Sequence, residues 1–263
     1  MAADARAISR HVSDPRLHVV PVGVGGAYSV PGIAQSCHLV SAAGRSVAID
    51  LGSGTLNLLQ RQIAPEDLRA VVITHMHPDH CVDLMALRVY MVWGPGAGRV
   101  LPVHGPPGLR ERLVAFSGSD GWDRAFAFED LHAGGGEIDL GGGFVVRHRE
   151  VPHLPPTHAV RFEHEGRAIC FSADCAPNDA LVELADGCEI LVCEASFGDG
   201  TVPEGVLHLT ARDAGDIAAR AGAGRLLLVH CSPEFDRDAT LAAARERFGG
   251  PVDWARQGEA VVA

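Results

Sequence analysis

Four ligand-type side chains packed into six residues constrain this chain more than any other feature. Residues 70–73, Ala-Val-Val-Ile, are apolar and lead at once into Thr74-His75-Met76-His77-Pro78-Asp79-His80, a His-x-His-x-Asp-His cluster. A short apolar run of this kind reads as a buried strand. The loop that leaves it can aim three imidazoles and a carboxylate at one spot while the strand fixes their base. Imidazole with carboxylate suits a borderline divalent ion, zinc first, with manganese or iron as alternatives. The fold must therefore hold a metal site at a strand end.

Strands and helices alternate along the rest of the chain. Residues 17–22 read as a first strand running into the glycine-rich loop 23–32. No Gly-Lys-Ser/Thr follows that loop, so it is read as a structural turn rather than a phosphate cradle. Segments 37–41 and 46–50 form a hairpin around Ala43-Gly44-Arg45, and Ser53 or Thr55 caps a short helix reaching Ile63. Val82, Met85, Ala86, Val89, Tyr90 and Trp93 recur at three and four residues, which predicts one amphipathic helix over 79–93. A strand at 99–104 ends on His104, expected to be a strand-end histidine without a ligand partner, and a helix follows to about residue 116. Further strands are expected at 137–140, 144–151, 158–163, 167–172, 189–193 and 225–229, with helices at 177–185 and 211–221. The strands at 158–163 and 167–172 pair around Glu165-Gly166.

Composition narrows the class. A hydrophobic content of 47% with 21% charge supplies a core for one α/β domain over residues 1–263, with 1–15 as a flexible lead-in. The net charge of −11 opposes binding of a long nucleic acid, which needs Lys and Arg against phosphate, and favours a small-molecule substrate. Seven cysteines without a Cys-x-x-Cys pair or a secretory leader point to reduced thiols in the cytoplasm. No stretch approaches the roughly 20 apolar residues of a membrane span.

Polar residues then gather where strands finish: His75 to His80, His153, Asp174, Glu194 and His230, with His208 opening a helix. With these in place the sequence resembles the metallo-β-lactamase-fold hydrolases, in the branch of ribonuclease Z, arylsulfatase and the cyclic phosphodiesterases. The matching blocks are residues 49–54, 74–80, 171–174 and 208–210. The resemblance implies a four-layer αββα sandwich with metals at one edge. It implies one ion held by His75, His77 and His153, a second by Asp79, His80 and His230, and Asp174 bridging the two. Two zinc ions would share a hydroxide, which Asp79 also orients. His208 would stabilise charge or protonate the leaving oxygen, with Glu194 orienting its ring. Relatives in this branch suggest a homodimer.

Three departures refine the expectation. Only twenty residues separate His153 from Asp174, where ribonuclease Z carries its tRNA-gripping arm. Asp174, not a cysteine, stands where β-lactamases of this fold place a zinc thiolate, and Cys175 comes one residue later. Cys81 and Cys231 follow ligands directly and are expected to pack rather than bind. The reading is thus a binuclear zinc phosphodiesterase for a small or cyclic phosphodiester. A carboxylic ester, lactone or thioester hydrolase is the alternative, ahead of an iron-dependent sulfur dioxygenase or a tRNA 3′-processing endonuclease.

Overall fold

The computed structural model describes residues 14–263, so the expected lead-in lies outside the described residues except for Asp14 and Pro15. The first strands are β1 (His18–Gly23), β2 (Cys37–Ala42), β3 (Arg45–Ile49), β4 (Ala70–Val72), β5 (Leu101–Gly105) and β6 (Phe126–Asp130). The second group is β7 (Gly136–Asp139), β8 (Val145–Val151), β9 (Thr157–His164), β10 (Arg167–Phe171), β11 (Ile190–Glu194), β12 (Leu226–Val229) and β13 (Val252–Trp254), and β14 (Val261–Val262) closes the chain. They form two seven-stranded sheets, ordered β14-β1-β2-β3-β4-β5-β6 and β13-β12-β11-β10-β9-β8-β7.

Helices cover the outer faces, completing the expected four-layer αββα sandwich. On the first sheet lie α1 (Thr55–Leu59), the single turn α2 (Pro78–Cys81), α3 (Leu84–Trp93) and α4 (Leu109–Ser117). On the second lie α5 (Asp179–Leu184), α6 (Ala211–Arg220) and α7 (Arg237–Arg245). The layering follows from alternation along strands buried on both faces. In β12, Leu226 and Leu228 point to the helices while Leu227 and Val229 point between the sheets. Likewise Ala48 and Val71 meet α1 and α3, whereas Val47, Ile49, Ala70 and Val72 fill the space between sheets with Phe144, Phe162 and Phe171. Each such fully buried Val, Leu or Ile contributes roughly 1.5–3 kcal/mol, which holds the two sheets together.

Each sheet contains four adjacent parallel strands, β3 to β6 and β10 to β13. Parallel neighbours need crossovers, so all their C-terminal ends emerge along one edge of the sandwich. Ligands of open α/β sheets collect at such ends.

The two hairpins appear where expected, turning through Ala43-Gly44 and Glu165-Gly166 in the left-handed conformation that tight turns require. Two expectations fail. The helix at 79–93 is broken after Cys81, because the His80 carbonyl accepts from Leu51 N at 2.7 Å and the Asp83 N–H goes to Leu51 O at 2.9 Å. Those bonds stitch the ligand loop to the end of β3 instead of continuing the helix. The helix from Thr55 stops at Leu59, and neither Ser53 nor Thr55 caps it: Gly54 sits at the N-cap, and the Thr55 hydroxyl donates to Gly52 O. Strand β6 and everything from α7 onward lay outside the sequence reading.

Candidate metal centre

All nine residues singled out from the sequence meet at the edge where parallel strands end. His75, His77, Asp79 and His80 follow β4, Asp174 follows β10, Glu194 is the last residue of β11, and His230 follows β12. His153 follows β8, with Pro152 O accepting from Ala176 N at 2.9 Å, which ties its loop to that of Asp174. His208 precedes α6, whose start is fixed by a reciprocal capping box between Thr210 and Asp213.

Two ligand groups share one carboxylate. Ligand atoms of His75, His77, His153 and Asp174 lie within 4.8 Å of one another, as do those of Asp79, His80, Asp174 and His230. Apart from half-buried His77, every one of these residues is buried. A glycine makes the second group possible: a Cβ on Gly52 would stand 2.0 Å from Asp79 O.

The hydrogen-bond partners behind the rings settle where their lone pairs point. Leu207 O can only accept, so His153 carries its hydrogen on Nδ1, 2.9 Å away. Asp50 Oδ2 stands 2.7 Å from His80 Nδ1 and fixes that ring in the same way. The Thr74 hydroxyl donates to Asp50 and, 3.1 Å from His75 Nδ1, accepts from that ring. With hydrogen on Nδ1 in all three rings, Nε2 is the nitrogen that faces into the site.

The spacing suits a cation. His77 Nδ1 lies 3.0 Å from His75 Nε2 and 3.3 Å from His153 Nε2, and His80 Nε2 lies 3.3 Å from His230 Nε2. Nitrogens about 2.0–2.1 Å from a tetrahedral zinc stand about 3.3–3.4 Å from each other. Charge balance agrees. Among the described residues every ion-pair partner of Asp79 and Asp174 is a histidine. Burial opposes ionisation of Asp174, yet His230 and His80 hold its pKa well below the carboxylate range. Burial drives His75 well below the usual imidazole value, whereas for His80 the Asp174 and Asp50 carboxylates outweigh burial and raise it well above. Positive charge is favoured between these groups, and the residues present fit a pair of divalent ions.

Beside this centre, His208 Nδ1 lies 3.0 Å from Glu194 Oε1 and 3.9 Å from Asp174 Oδ2. Burial works against its protonation, but the Glu194 hydrogen bond and charge prevail and raise its pKa. No cysteine enters either ligand group. Burial holds Cys81 and Cys231 up at about 11, which keeps them as thiols, and their sulfurs donate to His77 O and Ser232 O. His104 pairs with Glu129 at 3.3 Å and stays outside the centre. The sequence reading gave no role to Asp50, Thr74 or Ser196. Asp50 and Thr74 stood inside matching blocks without a role of their own, and Ser196 was one more polar residue just past a strand.

The domain family described as the beta-lactamase superfamily domain matches residues 45–231, from the start of β3 to the residue after His230. The chain belongs to the beta-lactamase superfamily. Within the superfamily, an uncharacterized protein of Mycobacterium tuberculosis is 32% identical over 243 residues, covering 90% of this chain and 88% of the relative. A ribonuclease Z of Halorubrum lacusprofundi is 26% identical, covering 89% and 93% of the two chains. The crystal structure of the metallo-beta-lactamase fold protein YhfI from Bacillus subtilis superposes with a TM-score of 0.84 at 23% identity, over 94% of this chain and 100% of that one. Among the described residues no helix is long and apolar enough to cross a membrane.

Proposed function

We propose that this superfamily member is a metal-dependent phosphodiesterase acting on a small or cyclic phosphodiester. His208 carries the reading: a histidine made more basic by Glu194 stands beside a ligand set for two ions. His75, His77 and His153 would hold one ion, Asp79, His80 and His230 the other, with Asp174 common to both, and zinc suits this donor set best. When bound, the ions supply Lewis acidity and acidify water toward neutrality, so the protein need provide no nucleophile. Glu194 occupies Nδ1 of His208, which leaves Nε2–H free to protonate the departing oxygen. The half-exposed His77 and His208 mark the side from which substrate enters. A relative is named ribonuclease Z, but two features of this chain favour a smaller substrate. The segment between His153 and Asp174 is taken up by the β9–β10 hairpin within the sheet, leaving no arm there. The net charge is −11.

The test is a panel of cyclic and acyclic phosphodiesters, thioesters and lactones, run with zinc, manganese and iron. Phosphodiesters should turn over fastest. His208→Ala should lower kcat by about 10²–10⁴ for alkoxide leaving groups and far less for activated aryl ones, which need no proton. Turnover confined to thioesters or lactones would replace the proposal with carboxylic ester hydrolysis at the same centre.

A further inference from the structure

Behind His230 a single hydroxyl joins a metal-ligand ring to the carboxylate that serves His208. Glu194 has four acceptor positions, and all are filled. Its Oε1 accepts from Cys175 N at 2.8 Å and from His208 Nδ1 at 3.0 Å. Its Oε2 accepts from the Ser196 backbone N–H at 3.2 Å and from the Ser196 hydroxyl. Glu194, His208 and His230 therefore form a hydrogen-bonded network and not a third ion site, although their ligand atoms lie within 4.8 Å. The hydroxyl spends its one hydrogen on Glu194, because a saturated carboxylate offers none in return. Toward His230 Nδ1, 3.0 Å away, Ser196 Oγ can only accept. His230 must then carry a hydrogen on Nδ1, so Nε2, 3.1 Å from Asp79 and 3.6 Å from Asp174, is the nitrogen a cation would take.

We propose that Ser196 is a positioning residue that fixes the tautomer and orientation of His230 for the second ion and couples that ligand to the Glu194–His208 pair. The assignment rests on the two-ion reading above. The same device recurs across the site, where Asp50 serves His80 directly and His75 through the Thr74 hydroxyl. Glu194 serves His208 directly and His230 through Ser196. Each half of the sandwich thus supplies one buried carboxylate and one hydroxyl at parallel strand ends. An outer partner of this kind orients a ligating imidazole and raises its basicity.

The decisive measurement is zinc affinity by chelator competition, which needs no substrate and so stands apart from the choice of reaction. Ser196→Ala should bind one of its two ions about 10–100-fold less tightly and leave the other unchanged, while Ser196→Thr, which keeps the hydroxyl, should stay near the wild type. Wild-type affinity for both ions in Ser196→Ala overturns the assignment, even if the variant is less heat-stable. So does an equal loss in Ser196→Thr. Should Ser196→Ala not fold, ring-nitrogen NMR of the zinc-loaded wild type decides. Hydrogen on Nδ1 of His230 with zinc on Nε2 supports the role, and zinc on Nδ1 ends it.

Discussion

Two histidine clusters in this protein are built from the same side chain and do opposite things. At the strand-end edge, His75, His80, His153 and His230 surround the buried carboxylates Asp79 and Asp174. On the second sheet, His148 of β8 and His158 of β9 face each other with Nδ1 atoms 3.2 Å apart, both buried. Neither has an ion-pair partner among the described residues, and no three-ligand group forms there. Burial, reinforced by neighbouring histidines and, for His148, by Arg149, pushes both of these imidazoles down to about 4. At the first cluster carboxylates reverse that outcome for His80 and His230, whose pKa values rise despite burial. Histidine content therefore does not make a metal centre. Converging lone pairs with buried negative charge do.

Asp174 gives the sharpest test, because it is the one ligand common to both groups. Removing it should leave His75, His77 and His153 closer to the His148–His158 pair, a set of imidazoles with no carboxylate in their ligand group, while Asp79 still serves the second group. Asp174→Ala should retain fewer than two ions per chain, and loss of several kcal/mol of Lewis-acid stabilisation, about 4, corresponds to about a thousandfold in kcat/KM. Metal stoichiometry by plasma emission, measured beside the kinetics, checks this. A variant with two ions and activity within tenfold of the wild type would refute the shared role.

The contrast also shows what the residues alone reveal. His75 to His80 were legible because four ligand-type side chains crowd one loop, and most of the strands that lead to the centre were legible from their short apolar runs, although their parallel direction and β6 and β13 were not. Asp50, Thr74 and Ser196 were not, since each is an ordinary polar residue until a distant ring is placed against it. Backbone conformation hid more. Asp50, Ala173 and His230 all adopt left-handed φ values, 58°, 51° and 54°, which side-chain-bearing residues seldom take. These turns aim Asp50, Asp174 and His230 into the centre, and no glycine announces them. The break between α2 and α3 escaped for a similar reason. Helical periodicity continues through it, and only the bonds from Leu51 reveal the interruption. Asp50→Asn tests this concealed layer: an amide nitrogen, which can only donate, replaces one of the two oxygens, so the side chain can no longer accept from both His80 and the Thr74 backbone N–H. We expect a fall of about 10–100-fold in metal affinity or activity, smaller than for Asp174→Ala. Unchanged metal affinity and unchanged kcat would show that Thr74 and His80 hold their geometry without it.

The smallest effect comes from the other cluster and appears in stability instead of turnover. His148 titrates near 6.5 when unfolded but at about 4 in the folded protein, because burial penalises its charged form. Below 6.5 the unfolded chain therefore binds a proton that the native state refuses. The stability this histidine contributes above that pH is lost as the pH falls from 6.5 towards 4. Each such group contributes a slope of at most about 1.4 kcal/mol per pH unit within that window. His158 adds a second slope of the same sign, since its folded pKa is lowered to a similar value. In His148→Asn one of the two slopes disappears. Urea unfolding at pH 7.5, 6 and 5, with chelator present throughout so that ion release does not contribute, should give a variant less stable than wild type at pH 7.5. The gap should narrow as the pH falls. The metal-centre variants leave this slope unaltered if the two clusters titrate independently. A gap that stays constant from pH 7.5 to 5 would mean that His148 accepts its proton inside the fold, and the distinction between carboxylate-lined and purely imidazole clusters would fail.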